Sequence, residues 1–412
     1  MLYSVKMDKI EELLTRGVEK IYPSREELEK LLRSGKKLRL YQGFDPTGTD
    51  LHIGHMVGLM KLKQWQDLGH HVIFLIGDGT GQAGDPSGKT KARKKFFTRQ
   101  ELRKNAVDYV KQAGKIVSFK GKNPVEILFN GDWLNKLTLV DILNIAGHFS
   151  LQQLSERDLF RERIKRNEPV NLREFLYPLL QGYDSVVMEV DLEIGGSDQT
   201  FNMLCGKTLL KEMKNKDKFV MTTPLLTDSK GVKIGKTEEN VIALTDKSED
   251  LYGKIMALPD DLIVKGLEYL TDVPMQEIRD IQKTLGSGEN PLKYKKVLAF
   301  ELVKQLNNEK QANNAQKYFE SVIQEKEMPK AIPVFKYSGD KQTNIVDLLT
   351  KLNLARSRSL AKQLIEQGGI TINESRITNH DSQVDVKNDM IIRVGKRKFT
   401  RIEIRNVRRS KR

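Results

Sequence analysis

The stretch that decides the fold is Tyr41-Gln42-Gly43-Phe44-Asp45-Pro46-Thr47-Gly48-Thr49-Asp50-Leu51-His52-Ile53-Gly54-His55. Leu38 and Leu40 alternate with Arg39 and Tyr41 ahead of Phe44, the period-2 pattern of a strand. Asp45-Pro46-Thr47-Gly48 then breaks the strand with turn chemistry. Beyond His55, Met56, Leu59, Met60, Leu62 and Trp65 recur close to helical spacing. Two histidines and a glycine therefore stand at the first turn of a helix that follows a parallel-type strand, where backbone N–H groups and the helix dipole attract anions. Imidazoles there can donate to phosphate oxygens, and the glycine between them lets a nucleotide lie close to the backbone. Two surface histidines at a helix cap would give the same four letters, so the rest of the chain has to decide.

Working outward, Gly69 stops the helix and His71-Val72-Ile73-Phe74-Leu75-Ile76-Gly77 reads as a fully buried strand. A strand–helix–strand unit of this length predicts a parallel pair with a right-handed crossover. The glycine-rich turn Gly77–Lys89 follows at the strand's carboxyl end, where open α/β sheets bind ligands. Lys89, Lys91, Arg93, Lys94 and Lys95 form a basic run before a helix starting at Thr98. Most of that run suits a solvated face, but Lys89 and Arg93 adjoin the glycine turn. A strand ending at Phe129-Asn130 and a helix from Thr138 through Ala146 come next, then a charged helix from Glu156 to Lys165. Over Leu172–Val187, Leu176, Leu179, Leu180 and Tyr183 make one helical face, with Tyr177, Gln181 and Asp184 on the face beside it. A strand is predicted over Val187–Ile194, running into Gly195-Gly196-Ser197-Asp198-Gln199.

In front of all this, an amphipathic helix (Ile10, Leu13, Leu14, Val18) and a charged one ending at Ser34-Gly35 are predicted. From about residue 243 the pattern is all-helical: Leu251–Leu258, Asp260–Leu270, Met275–Leu285 and a long Pro291–Ile323. Pro329, Pro333 and Ser338-Gly339 mark a linker. Beyond it Ile345, Leu348, Leu349 and Leu352 predict a short helix. Ser357 caps a second one that Gly368-Gly369 stops, before strands at Ile370–Ile372 and Met390–Val394.

The chain has 412 residues, enough for two or three domains, and a formal net charge of +15. Residues 343–412 hold sixteen Lys/Arg against seven Asp/Glu, a net +9 in the last sixth of the chain. Such a balance points to polyanionic partners, nucleic acid first. The single cysteine, Cys205, rules out an internal disulfide and a zinc site built on several thiolates. Met1–Lys20 lacks the apolar core of a signal peptide, and no stretch approaches the roughly 20 apolar residues of a membrane span. A cytoplasmic setting is the expectation.

The second phosphate-type signal is Gly231-Val232-Lys233-Ile234-Gly235-Lys236-Thr237, a cationic loop suited to charge that builds up in phosphoryl chemistry. His-x-Gly-His followed by Lys-x-x-Lys-Thr around a parallel sheet resembles the paired signatures of class I aminoacyl-tRNA synthetases. With Tyr41-x-Gly-Phe-Asp-Pro-Thr, Gly84-Asp85-Pro86-Ser87-Gly88-Lys89, Tyr177-x-x-x-Gln181-x-x-Asp184 and Gly195-Gly196-Ser197-Asp198-Gln199, the chain resembles a bacterial-type tyrosyl-tRNA synthetase in order through nearly its whole length. It departs in Ile234-Gly235, where the consensus has Met-Ser, and in Thr200-Phe201, where many members have Trp-Gly.

The resemblance implies a Rossmann-like α/β catalytic domain (1–242), a helical anticodon-arm domain (243–328), a linker (329–342) and a small α+β RNA-binding module (343–412). It implies ATP, as its Mg²⁺ complex, as a substrate with L-tyrosine and tRNA(Tyr), no tightly bound cofactor or zinc, and a homodimer with its interface near Thr138–Ser150. Thr47, His52 and His55 would contact the ATP phosphates, with Lys233, Lys236 and Thr237 closing over them. Lys89 and Arg93 would serve pyrophosphate or the tRNA end. Gly43, Asp45, Gly54, Gly196 and Asp198 would hold the rest of ATP, Asp198 accepting from ribose hydroxyls. Tyr41 and Asp184 would meet the tyrosine phenol; Tyr177, Asp85 and Gln181 its ammonium, supported by Asn130, with Gln199 near the carboxyl. A buried Asp left unpaired rejects phenylalanine, and tyrosine-specific synthetases are themselves the standard example of that effect. Arg356, Arg358 and Lys362, on the face away from the leucines of the C-terminal module, would meet tRNA. A tryptophan-specific relative, a shorter nucleotidyltransferase and an inactive RNA-binding descendant are the alternatives. Tyr41 and Asp184 disfavour the first, the second half of the chain the second, and the intact phosphate-contacting positions the third.

Overall fold

The computed structural model describes residues 8–87, 96–155, 158–229, 231–234, 241–324, 332–373, 375–395 and 398–404. Lys89, Arg93, Lys236 and Thr237 lie outside these residues. Contacts divide the chain into two compact units, Met1–Lys247 with Lys254–Glu309, and Ser248–Gly253 with Lys310–Arg412.

In the first unit, α1 (Lys9–Thr15), β1 (Lys20–Tyr22) and α2 (Arg25–Arg33) precede β2 (Arg39–Phe44), which α3 (Ile53–Asp67) links to β3 (His71–Ile76). The turn helix α4 (Thr80–Ala83), α5 (Arg99–Ala113), β4 (Glu126–Phe129), α6 (Gly131–Leu134), α7 (Leu139–Ala146), α8 (Leu151–Ser155) and α9 (Asp158–Lys165) follow. The long α10 (Leu172–Met188) leads to β5 (Leu192–Gly196), and α11 (Thr200–Lys214) to β6 (Phe219–Thr223). The six strands form one sheet in the order β1-β6-β5-β2-β3-β4, parallel except for β1 against β6. Val72 through Ile76 are all buried, as expected of a strand covered on both faces. The chain builds outward from β2 to β3 and β4, then returns to β5 on the other side. β2 therefore lies at the switch point, and its carboxyl end opens into the crevice where such sheets bind ligands.

The strand expected over Val187–Ile194 starts only at Leu192. Val186 and Met188 are buried, so α10 continues past the expected end until Glu189 closes it in the left-handed conformation (φ 46°). The expected helix Pro291–Ile323 breaks at Asn307 (φ −133°, ψ −91°). Helices α12 (Ser248–Met256), α13 (Leu262–Leu270), α14 (Met275–Gly286) and α15 (Leu292–Leu306) carry the all-helical stretch. A Cβ on Gly266 would fall 2.8 Å from Leu298 Cδ2, so this glycine sets how closely α13 and α15 cross. Arg16, 5 % exposed, donates to the carbonyls of Glu268 (2.9 Å) and Thr271 (2.5 Å), tying the end of α1 to that of α13.

The second unit contains α16 (Glu309–Tyr318) with a π-type turn at Phe319–Gln324, then β7 (Val334–Tyr337), β8 (Gln342–Asn344), α17 (Ile345–Lys351) and α18 (Arg358–Glu366). Next come β9 (Ile370–Ile372), β10 (Ser375–Ile377), β11 (Gln383–Asp385), β12 (Ile391–Val394) and β13 (Lys398–Ile404). A five-stranded sheet runs β10-β9-β12-β13-β7, and β11 pairs with β8. Residues 334–337 of the expected linker thus form an edge strand, parallel to β13. Ser357 Oγ accepts from Leu360 N (3.2 Å) at the start of α18, and Gly368 (φ 67°) follows its end. Ile345, Leu348, Leu349, Ala361, Ile365, Ile392 and Ile402 close the core. No described helix is long and apolar enough to cross a membrane.

Candidate active site

The described site candidates outside the C-terminal module all line one cavity of about 430 Å³ in the first unit. It opens at the carboxyl ends of β2 and β5. One wall is the start of α3. His52 is the N-cap, its Nδ1 accepting from Gly54 N (3.1 Å), while His55 Nδ1 accepts from His52 N (3.2 Å). This is a capping box built from two imidazoles in place of the usual hydroxyl and carboxylate. Accepting at Nδ1 puts the proton of a neutral ring on Nε2, so the cap also fixes both tautomers. The rings lie 3.9 Å apart, and a Cβ on Gly54 would fall 2.9 Å from His52 Cε1. One turn on, a Cβ on Gly58 would fall 2.4 Å from the Gln42 amide. Gly54 and Gly58 give α3 a bare strip toward the cavity.

The opposite wall comes from α10, whose residues at positions 177, 181 and 184 share one face. Asp184 is 1 % exposed and accepts from Asn130 Nδ2 (3.0 Å) and Trp133 Nε1 (2.8 Å). Burial holds its carboxyl well above the usual range, against the pull of those two donors. Asn130 also accepts from Gly79 N (2.8 Å), so it pins the glycine turn to the same carboxylate. Tyr41, on the central strand and 1 % exposed, lies 3.0 Å from Ser185 Oγ; burial, then the charges of Glu193 and Asp184, raise its pKa well above 10.0. Tyr177 Oη donates to Asp45 Oδ2 (3.0 Å), and Thr80 Oγ1 donates to Asp45 Oδ1 (2.7 Å). Burial, then Asp45 and Asp85, raise the Tyr177 pKa.

From Gln181 a chain of amides runs along the floor. Gln181 Nε2 donates to Glu193 Oε1 (2.9 Å) and Asn202 Nδ2 to Gln181 Oε1 (3.0 Å). Asn202 also donates to Gln199 Oε1 (2.8 Å), and Gln199 Nε2 to Asp85 Oδ2 (2.9 Å). At the mouth, Lys233 Nζ donates to Asp198 Oδ2 (2.8 Å), beside Gly196. The loop backbone is pinned by Ile234 N to Leu226 O (2.8 Å).

Trp133, Thr80, Asn202, Ser185, Glu193 and Lys218 belong to this network and escaped the sequence reading. Trp133 and Ser185 stand three residues after Asn130 and one after Asp184, so the motif neighbours were the available signal. Lys218 offered none: Lys216-Asp217-Lys218 reads as a solvated loop, yet Lys218 is 1 % exposed. In the second unit Arg356, Arg358 and Lys362 are exposed, and Arg358 pairs with Asp347.

A switch-point cavity on a parallel sheet, with an imidazole-capped helix and Lys233 beside it, fits a class I aminoacyl-tRNA synthetase. The family model described as "tRNA synthetases class I (W and Y)" matches residues 33–324, and that for the "Tyrosine--tRNA ligase SYY-like C-terminal domain" matches 324–402. The chain is similar to the tyrosine–tRNA ligase of Thermotoga maritima, 41 % identical over 95 % of this chain and 96 % of that one. It is likewise similar to that of Dehalococcoides mccartyi, 38 % identical over 96 % and 98 %. Among solved structures, a C-terminally truncated mitochondrial tyrosyl-tRNA synthetase of Aspergillus nidulans matches 77 % of this chain and 95 % of its own, with a TM-score of 0.66 at 26 % identity. The chain belongs to the tyrosyl-tRNA synthetase family.

Proposed function

We propose that the protein is a tyrosine–tRNA ligase that activates L-tyrosine with ATP, forming tyrosyl-adenylate and pyrophosphate, and passes the tyrosyl group to the 3′-terminal ribose of tRNA(Tyr). The observation that carries this reading is that Tyr41 and Asp184 share one cavity with the His52–His55 helix start. A phenol both donates and accepts, and it suits a hydroxyl beside a buried carboxylate; an indole N–H only donates. That favours tyrosine over tryptophan within the family.

In the first step the tyrosine carboxylate attacks the α-phosphate, and the work of the protein is alignment and charge stabilisation. Asp184 accepts a hydrogen bond from the phenol hydroxyl, and Asp85, Tyr177 and Gln181 hold the ammonium, with Asn130 supporting and Gln199 near the carboxyl. His52 and His55 aim Nε2–H donors at the phosphates, with Thr47. Gly43, Asp45, Gly54, Gly196 and Asp198 shape the adenosine side. Lys233 exchanges Asp198 for phosphate, Lys236 and Thr237 serve the same phosphates, and Lys89 and Arg93 act on pyrophosphate or the tRNA end. ATP enters as its Mg²⁺ complex, the ion neutralising phosphate charge.

The proposal extends to the chain's organisation, with catalysis in 1–242, an anticodon-arm role for 243–328, and RNA binding by 343–412. The basic surface of that module, including Arg356, Arg358 and Lys362, contacts tRNA through phosphates and shape. A second copy of the chain covers α7 and α8, where Leu139, Val140, Leu143 and Leu151 are 60–71 % exposed. The reaction is placed in the cytoplasm. The test is charging of unfractionated bacterial tRNA with radiolabelled amino acids. Acid-precipitable tyrosine is expected, without tryptophan or phenylalanine. RNA binding without charging by any amino acid would instead identify an inactive RNA-binding descendant.

A further inference from the structure

Behind the cavity wall stands a buried cation that the roles above leave unused. Lys218, just ahead of β6, is 1 % exposed; its Nζ donates to Glu193 and, at 2.6 Å, to Ser185 Oγ. Ser185, on α10 and fully buried, lies 3.0 Å from Tyr41 Oη and 3.4 Å from Glu193 Oε2. The space is made by α11: a Cβ on Gly206 would fall 2.6 Å from Lys218 Nζ and 2.9 Å from Ser185 Oγ. Four elements thus converge on one ammonium.

The chemistry gives this chain of hydroxyls a direction. An ammonium donates and never accepts, whereas a hydroxyl has one proton. Ser185 accepts from Lys218 and keeps its proton for a second neighbour. Tyr41 Oη, at 3.0 Å, is the nearer candidate, whereas the donation of Ser185 Oγ to Glu193 Oε2, at 3.4 Å, lies at the long end of hydrogen-bond range. With the Ser185 proton aimed at Tyr41 Oη, the phenolic proton of Tyr41 is left for the Glu193 carboxylate, which also engages it, or for the cavity that Tyr41 lines, where a phenol oxygen placed beside it takes that proton. We infer that Lys218, with its counter-ion Glu193, is a positioning residue for amino-acid selection. Through Ser185 it makes Tyr41 a hydrogen-bond donor, beside the Asp184 acceptor, for a phenol oxygen. Burial and the charges of Glu193 and Asp184 keep the Tyr41 hydroxyl protonated, so the donor is always present.

This inference rests on the tyrosine reading of the cavity. Its test is tyrosine-dependent ATP–pyrophosphate exchange by the full chain, with L-phenylalanine as competitive inhibitor. Ser185→Ala removes one oxygen and no charge. It is expected to raise the KM for L-tyrosine about tenfold, the weight of one hydrogen bond. The inhibition constant of phenylalanine, the KM for ATP and kcat should stay unchanged. Lys218→Met combined with Glu193→Gln removes both charges together and should reproduce the effect; if that pair does not fold, Ser185→Ala decides alone. Equal losses for tyrosine and phenylalanine, or no loss, would overturn the positioning role. A fall in the tyrosine KM would show the chain running the other way, with Tyr41 donating to Ser185 until the hydroxyl is removed. A wild-type chain without tyrosine-dependent exchange would overturn the tyrosine reading itself, an outcome distinct from any of these.

Discussion

Asp184 is under opposed electrostatic demands: it is 1 % exposed, and burial lifts its pKa while Asn130 and Trp133 hold its two oxygens. Asp184→Ala is expected to lower kcat/KM for tyrosine at least about 100-fold, the order of a hydrogen bond to a charged group; unaltered kinetics would remove it from the pocket. His70 shows the same physics away from the site. Its Nδ1 accepts from Leu38 N (3.1 Å), which requires a neutral ring, and burial, with Lys37 second, lowers its pKa to about 4. The unfolded imidazole takes up its proton near 6.5 and the folded one only near 4. The wild type is therefore fully stable, in this respect, above about 6.5 and loses stability as pH falls toward 4, by on the order of 2 kcal/mol after solvent screening. Urea unfolding at several pH values should give His70→Gln a shallower acid loss; parallel curves would contradict this. At this scale the sequence revealed residues with motif partners, such as Tyr41 and Asp184. It concealed Lys218 and Glu193, whose meaning comes from neighbours on other elements.

α3 does two jobs with the same two residues. The imidazole capping box stabilises the helix start, and the same rings supply donors at the cavity. These roles separate by substitution. Asparagine is a strong N-cap, so His52→Asn should keep stability within about 0.5 kcal/mol, while His52→Ala should lose about 1 kcal/mol. Both should lose exchange activity together, read by urea unfolding beside exchange rates. Full activity in His52→Asn would reduce the histidine to a cap. Elements with strong periodicity or caps were legible in advance: β2, β3, α7 with Thr138 at its N-cap, and α18 with Ser357 at its own. Those set by tertiary context were not. β1 is three residues long and exists through its pairing with β6, and β7 exists through its parallel pairing with β13. Asn307 ends α15 with no glycine or proline to announce it.

For the whole molecule, the order of motifs along the chain made the fold class legible, because a parallel sheet with a switch point leaves few places for such motifs to meet. Compactness was harder to foresee: the helices α13–α15 group with the sheet, and Ser248–Gly253 with the residues after 309. Nothing periodic distinguishes one helix that packs on its sequence neighbours from another that packs on a distant segment. The apolar surface of α7 and α8 predicts a mass near twice 47.2 kDa by light scattering, and Leu143→Glu should shift it toward one copy. A monomeric wild type would leave that surface without its proposed occupant. The central claim is that one cavity joins a phenol-selecting pocket to an ATP phosphate clamp. ATP–pyrophosphate exchange measured with each amino acid in turn tests it most directly. Exchange with L-tyrosine, and none above background with L-phenylalanine or L-tryptophan, is the predicted result. No exchange with any amino acid, or exchange with L-tryptophan in place of L-tyrosine, would contradict it.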